Sequence, residues 1–501
     1  RRFIMRIPTS YPMALLAALV TLTPIFVLIT LASDASSFFD SHNLTILGNT
    51  LSLMGLTVLG SILIGVPLAF ISAYVQLPFK KFWLVVFAAP LAIPSYIGAF
   101  TLYAAFGPGG EINNLLGFET PSMYGLTGAA IVMTLYTFPF VMMTTRSSLL
   151  SLDASMVNAA RTLGMSMTQS VFKVILPRVI NGIAAGSLLV ALYTLSDFGT
   201  PAMMRLDTFT RVIYVEYNAF ALSRAAMLSL QLMVIVGFLL MIESQIKTAS
   251  ERQGRSLILF PKKWQLGAMF ATFAPILLLA IGLPLAVFTL WLVRDGFSSF
   301  DFSIAWHSTY ASAIAAIVTV IVAIPVAHAA LSGKAGKVME RVTYFGFGIP
   351  GIVMGTALVY GGLQLPFLYQ TLGLLIIAYM LRFLPLAVGS VRTSTEHLDP
   401  SLVKSARVLG ASPREAFTRI TLPLTMRGII AGGALVFLES MRELEATLLL
   451  GPTGFETLST YLWRVYEAGY FGRAAIPGLL LVVISAGALA IMMSGEKRNQ
   501  F

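Results

Sequence analysis

The sequence predicts an all-α polytopic membrane protein: about twelve transmembrane helices in two pseudo-symmetric six-helix halves. Three observations carry this. First, 57% of the 501 residues are hydrophobic and 11% are charged, against about 25% charged in soluble globular domains. Second, apolar stretches of the roughly 20 residues that cross a bilayer recur along the chain. Third, one segment occurs twice: LDASMVNAARTLGMSMTQSVFKVILP at Leu152–Pro177 and LDPSLVKSARVLGASPREAFTRITLP at Leu398–Pro423. Gly164 and Gly410 are 410 − 164 = 246 apart, and Pro139/Pro385, Arg146/Arg392, Asp153/Asp399 and Pro177/Pro423 keep that spacing. An ungapped match of this kind marks an internal duplication.

The spans follow in order. In the first half, 1–245, they lie near 13–32, 46–76, 82–106, 125–150, 179–200 and 226–246. A polar linker at 246–264 leads to the second half, 265–501, with spans near 265–293, 304–332, 341–362, 371–391, 427–450 and 474–494. Val66-Pro67 and Ile324-Pro325 fall in corresponding second spans, Ile93-Pro94 and Ile349-Pro350 in corresponding third spans. Neighbouring helices can re-satisfy the backbone groups a proline frees, so each stretch is read as a span. Arg1, Arg2 and Arg6 before the first apolar run resemble a signal peptide. No small-residue cleavage site and soluble domain follow, so a retained first helix is expected, with a short piece missing before Arg1.

Lys80 and Lys81, then Arg146, Arg161, Lys173 and Arg178, fall on alternate connections, as do Lys247, Arg252, Arg255, Lys262 and Lys263. Lys334, Lys337 and Arg341, then Lys404, Arg407, Arg414 and Arg419, and finally Lys497 and Arg498 continue that series. The other connections carry Asp34, Asp40, Glu111, Glu119, Asp295 and Asp301. The positive-inside rule then places both termini and both repeated loops in the cytoplasm. Halves of like orientation imply a pseudo-axis along the membrane normal. On the outer side, TFTRVIYVEY at 208–217 answers TLSTYLWRVY at 457–466; these amphipathic segments read as interfacial helices or as lids over a central cavity.

The net charge of +11 is explained by these loops. Basic patches interleaved with aromatics are absent, which excludes nucleic acid as a partner and leaves the lipid bilayer. Without cysteine there are no disulfides and no thiolate metal sites. His42, His307, His328 and His397 show no ligand spacing, so a membrane enzyme is a poor reading.

Each repeated loop reads as a short helix and a turn. Asp153 and Asp399 suit the N-cap. Ala159, Ala160 and Leu163, and Ser405, Ala406 and Leu409, form a small apolar face; Gly164 and Gly410 end the helix. Arg161 and Arg407 lie beside those glycines, and Pro177 and Pro423 suit the first turn of the next span. The arrangement A-A-x3-G-x9-hydrophobic-x-L-P resembles the coupling loop of bacterial ABC import permeases. Ala159, Ala160, Gly164, Val174, Leu176 and Pro177 fit it, and Ser405, Ala406, Gly410, Ile420, Leu422 and Pro423 fit it again. The family usually opens this motif with Glu, where this chain has Asn158 and Lys404. The resemblance implies a fused pair of permease subunits in a bacterial inner membrane. Two copies of an ATPase subunit would dock on the loops, with ATP and magnesium bound there, and a solute-binding protein would deliver substrate outside. LSGKAGK at 331–337 lacks the earlier Gly and the following Ser or Thr of a phosphate loop, so no ATP site and no enzymatic activity are expected of this chain.

Ionisable residues within spans are costly and suggest function. The 246 offset sets Asp197 on Glu443, Tyr193 on Glu439, Ser196 on Arg442 and Gly199 on Glu445. Counted from residue 179, Asp197 lies near the outer end of its span. Glu439 and Glu443 are read as sharing a helix face, with Arg442 pairing with Glu439 and with Glu445. Two readings stay open: an ion-pair knot, or an acid-lined path in which Asp197, Glu439 and Glu443 meet a hard metal ion. SMRELEATLLL at 440–450, FETLSTYLW at 455–463 and LSDFGTPAMM at 195–204 resemble ferric iron permeases. That implies ferric iron as substrate and a ferric-binding protein as partner. Permeases for thiamine, phosphonates, spermidine or sulfate share the architecture. An ion-gradient secondary transporter is the alternative from another class, since parallel repeats occur there too.

Overall fold

The computed structural model describes residues 10–33, 41–117, 120, 123–243, 245, 257–296, 300–396 and 398–495. Arg1, Arg2, Arg6, Asp34, Asp40, Glu119, Lys247, Arg252, Arg255, His397, Lys497 and Arg498 lie outside that set, as does most of the linker. Among the described residues the chain is helical, with a single isolated β-bridge between Val75 and Leu259.

The first part of the chain runs α1 (Ser10–Ala32), α2 (Ser41–Tyr74), α3 (Lys80–Ala88), α4 (Ser95–Phe106), α5 (Glu111–Leu116), α6 (Gly125–Leu150), α7 (Ala154–Thr162), α8 (Met167–Ser170), α9 (Leu176–Ser196), α10 (Gly199–Met203), α11 (Phe209–Asn218) and α12 (Leu222–Glu243). The second runs α13 (Lys263–Leu277), α14 (Leu283–Asp295), α15 (Ser303–Ser332), α16 (Lys334–Gly348), α17 (Gly351–Leu363), α18 (Leu372–Glu396), α19 (Pro400–Val408), α20 (Pro413–Ala416), α21 (Leu422–Met441), α22 (Glu445–Leu450), α23 (Leu458–Ala468) and α24 (Ala475–Gly495).

By length and composition, nine helices among the described residues can cross a membrane, or eleven if two bent pairs each count once. Sequence counted twelve; the last, at 474–494, falls on the shorter apolar helix Phe471–Gly487. The bent pairs are the third spans of the two halves. Lys80–Ala92 and Ser95–Leu115 meet at 86°, and Lys334–Gly348 and Gly351–Leu363 at 102°. Ile93 and Ile349 are extended, at ψ 120°, as residues before proline prefer. Pro94 and Pro350 then start the next helix. Pro67 and Pro325, by contrast, stay inside α2 and α15.

The chain packs as two units. One comprises Phe39–Val212, Val234–Ser298 and Tyr470–Phe501. Its centre is α2 against α6 and α9; α4 packs on α6, α10 and α14, and α14 on α24. The other comprises Arg1–Phe38, Ile213–Met233 and Ser299–Gly469. Its centre is α15 against α18 and α21, with α17 on α22 and α1 laid along α15 and α16. Each unit thus holds the second to fifth spans of one sequence half and the first span of the other. Aromatic packing carries part of this exchange: Trp83 meets Phe270 at 4.7 Å between ring centroids, and Phe100 meets Trp291 at 5.7 Å.

Candidate functional site: two acid breaks and two exposed loops

The fifth spans end earlier than the sequence suggested. α9 stops at Ser196 and α21 at Met441, and short helices, α10 and α22, follow each break. Asp197, Glu443 and Glu445 therefore sit at a break in the chain and not within a continuous span. Glu439 and Glu443 do not share a helix face, because the helix has ended between them.

In the first half Asp197 is buried. Its Oδ2 accepts the Thr200 N–H at 2.9 Å, and the Ser95 hydroxyl donates to Oδ1. Ser95 is the first residue of α4, directly after Pro94. The carboxylate thus joins the break after the fifth span to the break in the third, and helix N-termini favour negative charge. Tyr193 is half-buried, its ring 5.9 Å from that of Phe140.

The second half repeats the plan with different charges. Glu443 Oε1 accepts the Ala446 N–H at 2.9 Å, and 446 − 200 = 246, so both acids accept an N–H from the first turn of their short helix in one register. Glu445 Oε2 accepts the Ile352 N–H of α17 at 3.1 Å. Between the two acids lies Arg382 of α18, whose Nη1 is 2.8 Å from Glu443 Oε1 and 3.4 Å from Glu445 Oε2. Gly351 admits it: a Cβ there would stand 1.7 Å from that nitrogen and 2.4 Å from Glu445 Oε2. By the proline offset, 350 − 94 = 256, Gly351 stands where the first half has Ser95. Glu439 pairs with Arg442 as expected, Nε to Oε2 at 3.1 Å.

Arg382 was missed in the sequence. The signal was there, a lone arginine within LLIIAYMLRFLPLAV at 374–388, and an ionisable group in such a run calls for a partner. At 382 − 246 = 136 the first half has Tyr136, which donates to the Ala280 carbonyl at 2.9 Å. Three carboxylates, Glu439, Glu443 and Glu445, set against two guanidiniums, Arg382 and Arg442, leave one net negative charge. Among the described residues no group of three or more His, Cys, Asp or Glu is disposed to hold a metal ion.

The repeated loops match closely. Asp153 accepts the Ser155 N–H, and Asp399 the Ser401 N–H, each at 2.9 Å. α7 and α19 end on Gly164 (φ 89°) and Gly410 (φ 92°). Met165 N–H donates to the Ala160 carbonyl and Gly164 N–H to that of Arg161; Ala411 to Ala406 and Gly410 to Arg407 repeat this. These are paired Schellman ends, which need a left-handed residue. Two capping boxes that sequence reasoning overlooked come next, Ser166–Gln169 and Ser412–Glu415, although S-x-x-Q and S-x-x-E were in view. A wide π-turn at 171–175, and again at 417–421, then precedes Leu176-Pro177 and Leu422-Pro423. The prolines lie inside one long helical run, and the looser turn accommodates the missing N–H.

The expected apolar face divides. Ala160 packs inward with Val157 of the same helix, while Ala159 faces solvent and Leu163 is 84% exposed. In the second loop Ser405 and Arg407 are exposed, Ala406 is half-buried and Leu409 is 87% exposed. Each loop therefore presents a large apolar side chain beside its glycine.

A family profile described as "Binding-protein-dependent transport system inner membrane component" matches residues 65–245 and again 319–498. The chain belongs to this family. It is a fused, two-half permease of the ABC type, a multi-pass inner-membrane protein in which each match takes in one loop and one acid break. The permease is 30% identical over 475 residues to the Fe(3+)-transport system permease protein FbpB 2 of Haemophilus influenzae, covering 91% of this chain and 90% of that one. It is 23% identical over 434 residues to the ferric transport system permease protein FbpB of Actinobacillus pleuropneumoniae, 79% of this chain but 63% of the relative's length. A Salmonella typhimurium permease protein, PhnU, named for 2-aminoethylphosphonate transport, is 28% identical over 160 residues, 31% of this chain and 55% of its own.

Proposed function

We propose that this permease carries ferric iron, handed over by a ferric-binding protein on the outer side. The observation that carries the reading is the relative named for Fe(3+) transport, similar along nine-tenths of both chains. The acids at the two breaks support it. Asp197, Glu443 and Glu445 are hard oxygen ligands of the kind such a cation favours. With one net negative charge among Glu439, Glu443, Glu445, Arg382 and Arg442, the second break attracts a cation without chelating it tightly, which suits passage. Phosphonate is the second reading, favoured by the PhnU similarity over about a third of the chain.

In this account Leu163 and Leu409, beside Gly164 and Gly410, enter grooves on two copies of an ATPase subunit that binds ATP and magnesium. The loops and both termini lie in the cytoplasm by their Lys and Arg. The chain itself hydrolyses nothing, for LSGKAGK at 331–337 does not have the spacing of a phosphate loop. The test is transport by the purified chain in liposomes, with and without its ATPase and binding protein. Ferric iron uptake that requires ATP, and that thiamine and 2-aminoethylphosphonate do not compete away, is expected. Uptake by the chain alone under an ion gradient would make it a secondary transporter and end this reading.

A further inference from the structure

One helix of the second half grips both sides of the broken third span. α18 carries two arginines ten residues apart, about 15 Å along its axis. Arg392 Nη1 lies 2.7 Å from Glu340 Oε1, a buried carboxylate on α16, before the break. Arg382 Nη1 lies 3.4 Å from Glu445 Oε2, the same oxygen that accepts the Ile352 N–H of α17, after the break. Arg382 also reaches Glu443 at 2.8 Å. α18 ends at Glu396, three residues before Asp399, which caps the exposed loop helix α19. The helix that leads into the loop is therefore tied to each segment of the third span and to the acid break.

We infer that Arg382 and Arg392 make α16, α17 and α18 one rigid body across the Ile349-Pro350 break, so that displacement of α19 reaches Glu443 undamped. This rests on the docking role of the loops proposed above. The arginines are positioning residues: they hold the break and the acids in register with the loop. The first half is built differently. Tyr136 stands at Arg382's place and Leu84, at 340 − 256 = 84, at Glu340's.

The chain has no cysteine, so introduced pairs can be spin-labelled in the full chain bound to its ATPase. Met156→Cys with Leu402→Cys reports displacement of the two loops; Leu363→Cys with Leu402→Cys reports rigidity between α17 and α19. With ATP the first distance is expected to change and the second to remain a single, unshifted population. In Arg392→Gln the second distance spreads, and iron transported per ATP falls about tenfold, while the ATPase still co-purifies. The exchange Arg392→Glu with Glu340→Arg restores both readouts, which a merely space-filling role would not. A wild-type α17–α19 distance that shifts by about 5 Å, one helical turn, or one that stays single in Arg392→Gln, overturns the rigid body. If the two loops do not move with ATP even in the wild type, the docking role fails and the inference falls with it.

Discussion

The two breaks after the fifth spans share a backbone plan and differ in charge. At the first, Asp197 takes hydrogen bonds from the Ser95 hydroxyl and the Thr200 amide. At the second, Glu443 keeps the equivalent amide bond, to Ala446, but joins Glu445 around the Arg382 guanidinium. What the duplication preserved is the bond from the acid to the first-turn amide and the neighbouring proline break; what diverged is the chemistry facing them. Small differences make this possible. Gly351 stands where the first half has Ser95 and leaves room for a guanidinium, and Arg382 stands where it has Tyr136 and fills that room. A buried carboxylate pair needs such a cation, because unpaired buried charge is expensive.

The comparison can be broken most forcefully at Arg382. Arg382→Met leaves Glu443 and Glu445 without their shared cation and should cost about 3–5 kcal/mol. Tyr136→Phe at the matching place loses one neutral hydrogen bond, about 1 kcal/mol. Thermal unfolding of the two variants in detergent would rank them, and equal costs would mean that the guanidinium does not hold the second break together. Next is Gly351→Ala, whose methyl group would collide with Arg382 and Glu445; overpacking of this kind costs about 3 kcal/mol. Ser95→Ala should cost about 1.5 kcal/mol, for one hydrogen bond to a charged acceptor. A milder effect at Gly351 than at Ser95 would show that the second site yields more readily than its packing implies.

The loops offer a smaller contrast, because their helix caps, glycine ends and capping boxes repeat. Gly164→Ala and Gly410→Ala meet open space, so the penalty is the left-handed backbone alone, about 1 kcal/mol each. A tryptophan at either position would intrude on the proposed docking surface and should cut transport per ATP hydrolysed. Normal coupling with both glycines replaced by tryptophan would remove the docking role.

The smallest expected effect is a pH difference. In the second loop, hydrogen bonds from Ser412 to Glu415 and from Ser401 to Asp399 hold both carboxyls below their ordinary range. A depressed carboxyl stabilises the fold above its ordinary value and loses that contribution as pH falls through the lowered one. The second capping box therefore stays intact through neutral pH and loosens only in acid. The first box uses Gln169, which does not titrate. Spin labels at Thr168→Cys and Arg414→Cys should separate in mobility only below the normal carboxylate range. Equal mobility down to that pH would mean that Glu415 adds nothing to its box.

Much of this was legible in the sequence. The 246-residue offset carried the N-caps, the helix-ending glycines and the correspondence of Asp197 with Glu443, since each depends on local chain chemistry. The bends at Ile93-Pro94 and Ile349-Pro350 were visible as paired motifs but not as breaks. Proline alone does not decide: Pro67 and Pro325 sit inside continuous helices. The ends of the fifth spans were misjudged because apolar residues resume beyond the charged stretch 442–445, at Leu448–Leu450, so one long span accounts for the pattern as well as a broken one does. Arg382 and Glu340 were missed for another reason. Their partners lie 61 and 52 residues away, and pairing at that range is set by helix packing, which periodicity does not report. The exchange of first spans between packing units is tertiary in the same sense.

The most direct test of ferric iron as the proposed cargo is radioactive ferric iron uptake by cells that express the chain with the proposed ATPase and binding protein, wild type beside Glu443→Gln. The account predicts uptake in the wild type, and its loss in the variant at equal membrane levels with the ATPase still bound. Wild-type uptake no higher than background, with the ATPase shown to be attached, would contradict ferric iron as the cargo. Undiminished uptake by Glu443→Gln would take the second acid break off the path.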